Sequence, residues 1–321
     1  MTLVAFALVF AAALLGVLVL TLVGVLAPQA RRRGLPPGPG PVHDLLRSAR
    51  SRALTAVGVA CLAALGLLVA ASALPRLVGL PYLLVPGVAG ILGLVVYALV
   101  PPRVPDPGEA ASREASLVRR TPVSFLSRGT WVALVLAVVG QAGAVFTGLT
   151  GSADDQGRLR AISFATGSLT SSATPYGGWF YAGPLLALDA VFLGVLVLAL
   201  RRIATTPAIG PAGHAAADTA WRRASCRIVV ALATGALLLP VGGLALVSGI
   251  AIGNARLPGI ARWWTHASQV LVGGGAIAVL AALVALAACL SWALALPRVA
   301  TRGADAEPQR PWPSPGAGEM Q

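Results

Sequence analysis

The chain has 321 residues, of which 57% are hydrophobic and only 11% are charged. A soluble core of this length cannot bury so many apolar side chains, so the composition excludes a soluble globular protein and indicates a protein embedded in lipid. The formal net charge is +13, but the sequence contains no polar basic domain that would present this charge to a nucleic acid. We therefore expect no nucleic-acid binding.

Apolar runs of about 20 residues, the length that crosses a bilayer as a helix, recur along the chain. They predict an all-α bundle of seven spans within a transmembrane domain of residues 1–300, followed by a disordered cytoplasmic tail at residues 301–321. The first run is expected to remain in the membrane, since three arginines follow it as in a stop-transfer segment. The predicted spans are residues 3–27, 54–75, 80–101, 131–149, 179–200, 228–252 and 267–296.

Arginine supplies all 24 basic residues. With seven spans and an outside N-terminus, most of these arginines fall in cytoplasmic segments, and the positive-inside rule then places the C-terminus inside. This pattern predicts a multi-pass protein of the plasma membrane, with its arginines near anionic lipid headgroups. The predicted cytoplasmic anchors are Arg31, Arg32, Arg33, Arg119, Arg120, Arg201, Arg202, Arg222 and Arg223.

Aromatic residues lie at the outer ends of the third, fifth and seventh predicted spans. This is the usual position of the aromatic belt at a membrane interface. The pattern is compatible with a repeated hairpin, but we favour an ordinary belt without duplication. The predicted outer aromatics are Tyr82, Trp179, Phe180, Tyr181, Trp263 and Trp264.

Asp189, in the stretch PLLALDAVFLG, is the one acidic residue predicted at mid-bilayer depth. A charged carboxylate facing lipid costs at least about 2.5 kcal/mol, so this side chain is expected to face the bundle, to find a partner or to be protonated. Gln141 lies at similar depth in the preceding span. We favour a structural hydrogen bond between the two side chains, and the alternative is a proton or cation site in a transport pathway.

Two loops are long enough to carry structure of their own. The outer loop at residues 150–178 contains ISFATGSLTSS, which alternates weakly and is compatible with a small hairpin. We favour a flexible polar cap instead. The cytoplasmic loop at residues 102–130 is expected to contain a short interfacial helix near residues 110–118 and to offer a docking surface.

Enzyme signatures are missing from the sequence. The three histidines, His43, His214 and His266, are far apart and fit no zinc motif. The chain has no lysine, so neither a Walker A motif nor a retinal Schiff base is available. We expect no enzymatic activity, no cofactor and no metal site, and any ATP hydrolysis would belong to a partner.

A PYxGW-like element opens the fifth predicted span, with Pro175, Tyr176, Gly178 and Trp179, and LRRIA closes it at residues 200–204. Together with the flanking stretches GLPYLLVPGVAGILGL and ASCRIVVALATGALLL, this region resembles a group of uncharacterised actinobacterial integral membrane proteins. The resemblance extends over most of residues 50–300. It implies a polytopic membrane protein but no particular activity.

Two functions from different classes fit these observations. We favour a membrane subunit or accessory protein of a transport system, of the export type, whose partner is a separate cytoplasmic ATPase. The alternative is a non-transporting scaffold or envelope sensor that contacts another membrane protein. Both place the chain in a bilayer with anionic headgroups.

Overall fold

The computed structural model describes residues 41–100, 121–206 and 215–305, and most of these residues are helical. Two short 3-10 turns, at Pro75–Leu77 and Pro122–Phe125, join the longer elements. The long helices are α1 Pro41–Ser72, α2 Leu80–Leu99, α3 Arg128–Thr150, α4 Trp179–Thr205, α5 Ala215–Ala255 and α6 Trp263–Asp305.

Six helices of the described chain are long and apolar enough to cross a membrane. They match the second to seventh spans predicted from the sequence, because a long apolar run satisfies its backbone hydrogen bonds most simply as a helix. The predicted first span at residues 3–27 and the predicted interfacial helix at 110–118 lie outside the described residues.

Helix α5 lies at the centre of the bundle and packs against each of the other five helices. Close packing depends on small residues where helices meet. At Gly90 of α2, an added Cβ would lie 2.7 Å from the Phe192 ring of α4 and 2.8 Å from the Ala236 Cβ of α5. Three helices therefore approach one another at a position that has room only for glycine.

The predicted flexible cap between α3 and α4 is wrong, because this segment forms an antiparallel three-stranded sheet. Its strands are β1 Ser152–Ala153, β2 Leu159–Thr166 and β3 Leu169–Ala173, in the order β1-β2-β3. Ile162 and Phe164 of β2 are buried in a cluster with residues near the end of α5. The sheet is stabilised by this apolar contact with the bundle, which local sequence alternation does not reveal.

The bundle has two ends. The sheet end contains the sheet and the starts of α2, α4 and α6, while the arginine end contains the starts of α1, α3 and α5. Helix α6 continues to Asp305, so residues 301–305 of the predicted disordered tail are helical. Residues 306–321 of that tail lie outside the described residues.

Candidate functional site

Asp189 lies inside the bundle, with 3% of its surface exposed. One turn before it on α4, Leu185 belongs to an apolar cluster near the sheet end, and Phe192 on the next turn belongs to the larger cluster toward the arginine end. The carboxyl group therefore sits between two apolar clusters. Among the residues that the structure describes, neither of its oxygens has a hydrogen-bond partner. Of the alternatives expected for Asp189, the structure thus shows a side chain that faces the bundle without a described partner.

The predicted hydrogen bond between Asp189 and Gln141 is absent. The Gln141 side-chain nitrogen donates instead to two backbone carbonyls, at 3.4 Å to Ala137 O of α3 and 3.3 Å to Leu237 O of α5. Helix α3 packs more extensively on α5 than on α4, so the α5 backbone is the acceptor within reach. The Gln141 side-chain oxygen is buried and has no partner.

Pro240 is the third member of this region, which we name the polar layer: Asp189, Gln141 and Pro240. Helix α5 continues through Pro240. Because proline has no N–H, the carbonyl of Ala236 lacks its usual donor one turn later. Ala236 packs near Phe192, the α4 residue one turn from Asp189. The layer is defined by depth in the bundle and not by contact among its members, and in these apolar surroundings a protonated carboxyl costs less than an isolated carboxylate.

A second polar contact joins the sheet to the bundle. The Gly177 N–H donates to Ser248 Oγ of α5 at 3.0 Å, and the Gly177 carbonyl accepts from Thr147 Oγ1 of α3 at 3.4 Å. A Cβ on Gly177 would lie within 2.7 Å of both side-chain oxygens. Ser248 and Thr147 thus hold the loop before α4 from two different helices.

Tyr176 of the PYxGW-like element is fully buried beneath the sheet. Its N–H donates to Arg160 O at 2.8 Å, and its hydroxyl is paired with that of Thr150. Burial raises the pKa of Tyr176, and the bond to Thr150 opposes this shift in part. The element therefore anchors the sheet, a structural role that its sequence does not reveal.

The turn after β1 is organised by Asp154. The carboxylate accepts the N–H groups of Gln156 and Arg158, at 2.9 and 2.8 Å, and pairs with the Arg160 side chain. Desolvation acts to raise the pKa of Asp154, but the hydrogen bonds and the Arg160 charge together outweigh it, and the pKa is lowered. Asp154 is thus engaged in holding the turn.

All six predicted outer aromatics lie at the sheet end. Trp179 and Trp263 are exposed, and Trp263 stacks on Trp264 with ring centres 3.9 Å apart. Tyr82 and Phe180 are partly buried. Tyr181 is the exception, because it is 5% exposed and its hydroxyl donates to Val78 O at 2.6 Å. Its prediction as an interfacial aromatic is wrong, since it holds α4 to the turn before α2.

The predicted arginine anchors divide into three groups. Arg201, Arg202 and Arg223 are exposed at the arginine end. Arg222 is fully buried, so its prediction as a lipid anchor is wrong. The remaining predicted anchors lie outside the described residues: Arg31, Arg32, Arg33, Arg119 and Arg120.

Arg222 is buried because it binds the end of α4. Its guanidinium forms two bonds with Asp218, at 2.8 and 3.0 Å, and donates to carbonyls at the end of α4. The acceptors are Ile203 O at 2.5 Å, Ala204 O at 3.1 Å and Thr206 O at 2.8 Å. A cation is favourable at a helix C-terminus, where the last carbonyls lack intrahelical donors.

The six spanning helices and the buried carboxyl between them define a multi-pass membrane protein. Comparison of the chain with protein-family models, curated proteins and solved structures finds no match. In the part of the chain that the structure describes, no three His, Cys, Asp or Glu side chains are grouped closely enough to hold a metal ion.

Proposed function

We propose that the chain is a membrane subunit or accessory protein of a transport system, of the export type, that works with a separate cytoplasmic ATPase. The buried Asp189 carboxyl carries this proposal. Neither of its oxygens has a partner among the described residues, which surround it with apolar side chains, so the carboxyl costs stability and joins no described helices. Buried ionisable side chains within membrane spans are typical of sites where a proton or cation binds during transport.

We also propose the finer topology of the protein: seven spans including residues 3–27, an outside N-terminus, an inside C-terminus and a plasma-membrane location. The distribution of arginines supports this orientation. It makes the arginine end cytoplasmic, so that exposed Arg201, Arg202 and Arg223 would lie near anionic lipid headgroups. The resemblance to actinobacterial membrane proteins supports the same general architecture.

The arrangement at the arginine end supports coupling to a partner. Arg222 joins the start of α5 to the end of α4 and lies near Phe125, with 5.9 Å from its guanidinium carbon to the ring centre. Helix α4 also carries Asp189. A protein that docks at this end would thus act on a helix that reaches the polar layer, as an ATPase does when it drives a membrane subunit.

The test is to purify the tagged full-length chain from native membranes in mild detergent after crosslinking and to identify co-purifying proteins by mass spectrometry. We expect an ATPase in stoichiometric amount. Its recovery should fall in the double variant R201E/R202E and should be unchanged in the matched variant R256E/R262E, whose arginines are exposed at the sheet end.

Absence of any ATPase from the crosslinked wild-type sample would overturn the proposal. A second arm concerns Asp189 itself. In the reconstituted complex we expect Asp189→Asn to reduce the ATPase turnover that depends on the membrane subunit, because a carboxamide does not ionise near neutral pH and so cannot take up and release a proton or pair with a cation as a carboxylate does. Unchanged turnover would contradict a role of this carboxyl in transport.

The outer sheet favours a second candidate, a scaffold or envelope sensor. Strand β3 is bonded on one side only, to β2, with Ile162 opposite Ala173 and Thr166 opposite Leu169. Leu169 is 60% exposed. An edge strand of this kind can pair with a strand of another protein. Crosslinking from a cysteine at position 169 to another membrane protein, without an ATPase in the complex, would support this function instead.

A further inference from the structure

Four side chains with buried donors lie at the arginine end, apart from the polar layer. They belong to Arg52 of α1, Tyr97 of α2, and Trp221 and Ser225 of α5. Each residue is at most 4% exposed. Each has a side-chain nitrogen or oxygen without a hydrogen-bond partner: Arg52 Nη1, Tyr97 Oη, Trp221 Nε1 and Ser225 Oγ. We name this group the donor cluster.

Arg52 brings a positive charge into the cluster. Its Nε donates to Tyr97 O at 2.9 Å, and its Nη2 donates to the same carbonyl. The guanidinium carbon lies 4.2 Å from the centre of the Tyr97 ring. These contacts hold the guanidinium over the ring and occupy two of its nitrogens. The third nitrogen remains available for a ligand.

The other donors lie close by on α5. The Ser225 and Tyr97 hydroxyls lie within reach of a hydrogen bond with each other, although their arrangement falls short of normal hydrogen-bond geometry. A ligand would compete with this contact for both hydroxyls. Trp221 precedes Ser225 by four residues, so both side chains lie on one face of the helix. The contacts therefore join Arg52, Tyr97 and Ser225 from three helices, and helix periodicity places Trp221 on the Ser225 face of α5.

Arg52 differs from the nearby Arg222 in whether its charge is paired with a carboxylate. The Arg222 guanidinium pairs with Asp218 and with α4 carbonyls. No carboxylate of the described chain pairs with Arg52, whose one acceptor is a backbone carbonyl. A buried cation that lacks a counter-ion is costly, and the cost falls when an anion binds beside it.

We propose that the donor cluster binds a phosphate group. The unpaired atoms offer N–H and O–H donors, and phosphate oxygens are acceptors that pair well with guanidinium. Tyr97 precedes the end of α2 by two residues, which places the cluster at the level of the lipid headgroups. The phosphate is supplied either by a phospholipid headgroup or by free inorganic phosphate, which share this chemistry.

Burial of all four side chains means that phosphate enters only when the helix ends separate. We therefore expect slow exchange and a ligand that remains bound during purification. Native mass spectrometry of the full chain in detergent should show one retained phosphatidylglycerol. Adding phosphatidylglycerol to delipidated protein should raise its Tm, whereas phosphatidylcholine, whose headgroup carries no net negative charge, should raise it less.

Three variants test the site: Tyr97→Phe, Ser225→Ala and Arg52→Gln. The first two remove one hydroxyl each and preserve packing, so they should fold even if Arg52→Gln does not. We expect each hydroxyl loss to weaken phosphatidylglycerol binding about three- to tenfold, and Arg52→Gln to weaken it more. Arg227→Gln is the matched control, because Arg227 is exposed on α5 two residues from Ser225, and it should bind as wild type.

The source of the phosphate is decided by adding inorganic phosphate to the delipidated protein. Stabilisation by inorganic phosphate that is lost in Tyr97→Phe would identify the free ion, and stabilisation by phosphatidylglycerol alone would identify the lipid. The proposal is overturned if neither ligand raises the Tm, or if Tyr97→Phe and Ser225→Ala bind phosphatidylglycerol as tightly as wild type and Arg227→Gln.

Discussion

Replacing Arg222 with methionine should cause a large loss of stability, because the side chain connects two helices from a buried position. The Arg222→Met variant preserves most of the apolar stem but removes five hydrogen bonds, two to Asp218 and three to carbonyls at the end of α4. Breaking a buried ion pair by removing one partner costs about 3–5 kcal/mol. Three bonds from a charged donor, at about 1.5 kcal/mol each, reach the same range.

The neighbouring residue supplies the control. Arg223 is exposed, and Arg223→Met should change the free energy of unfolding by less than about 0.5 kcal/mol. Arg222→Lys should give an intermediate loss, since an ammonium keeps the charge but not the planar fork. The assay is unfolding of the purified protein by SDS in mixed micelles, followed by circular dichroism. A loss below about 1 kcal/mol for Arg222→Met, or equal losses at both positions, would refute the reasoning.

Three further predictions concern packing, the sheet and the polar layer. Gly90→Ala should lower the free energy of unfolding by about 1–3 kcal/mol, because its Cβ would overlap the Phe192 ring. The control is Gly143→Ala, whose new Cβ has no atom within 4 Å. It should be neutral or stabilising in the same SDS titration. The pKa of Asp154 is lowered from 3.8 in the folded protein, so its stabilisation of the sheet is complete above about pH 5 and is lost as the pH falls below about 4. Amide hydrogen exchange, corrected for its intrinsic pH dependence, should show residues 152–173 of the wild type losing protection only at the lower pH, and those of Asp154→Asn less protected at both. Asp189→Leu should raise the free energy of unfolding by about 1–3 kcal/mol, because two unpaired buried oxygens are removed, and a loss of stability would show that the carboxyl has favourable contacts.

The spanning helices could be predicted from the sequence because each depends on its own residues. An apolar run of 20 or more residues has one simple way to satisfy its backbone in lipid. The limits of the helices were less predictable. The apolar pattern places the sixth span at residues 228–252, whereas α5 begins at Ala215. Its first turns contain arginines, a composition typical of a loop, and one of them, Arg222, is buried because α4 supplies acceptors for it.

The sheet could not be predicted because its stability comes from a distant part of the chain. Its strands are short and rich in serine and threonine, so alternation in the local sequence is weak. Ile162 and Phe164 are buried against the end of α5, about 90 residues away in sequence. The loop before α4 then joins the sheet to Ser248. These long-range contacts leave no trace in the local sequence. The local sequence alone therefore favoured a flexible cap.

The depth and inward direction of Asp189 were predictable, because a carboxyl in the middle of an apolar run has few positions of acceptable energy. The absence of a bond to Gln141 was not predictable. Gln141 and Asp189 lie at similar depth, but the Gln141 amide donates to the α5 backbone instead. Two side chains at similar depth in a bundle need not be in contact. The structure also separates two kinds of buried polar group that look alike in sequence.

Arg222 and Asp189 differ in what surrounds them, and this difference bears on function. Arg222 is surrounded by a carboxylate and by the carbonyls of a helix end, so its burial is explained by structure. Asp189 has no hydrogen-bond partner among the same described helices and lies between two apolar clusters. We expect the replacement of Asp189 by leucine to make the bundle more stable. That result would remove a structural explanation for the carboxyl and would support the proposed binding of a proton or cation, whereas a loss of stability would favour a structural role.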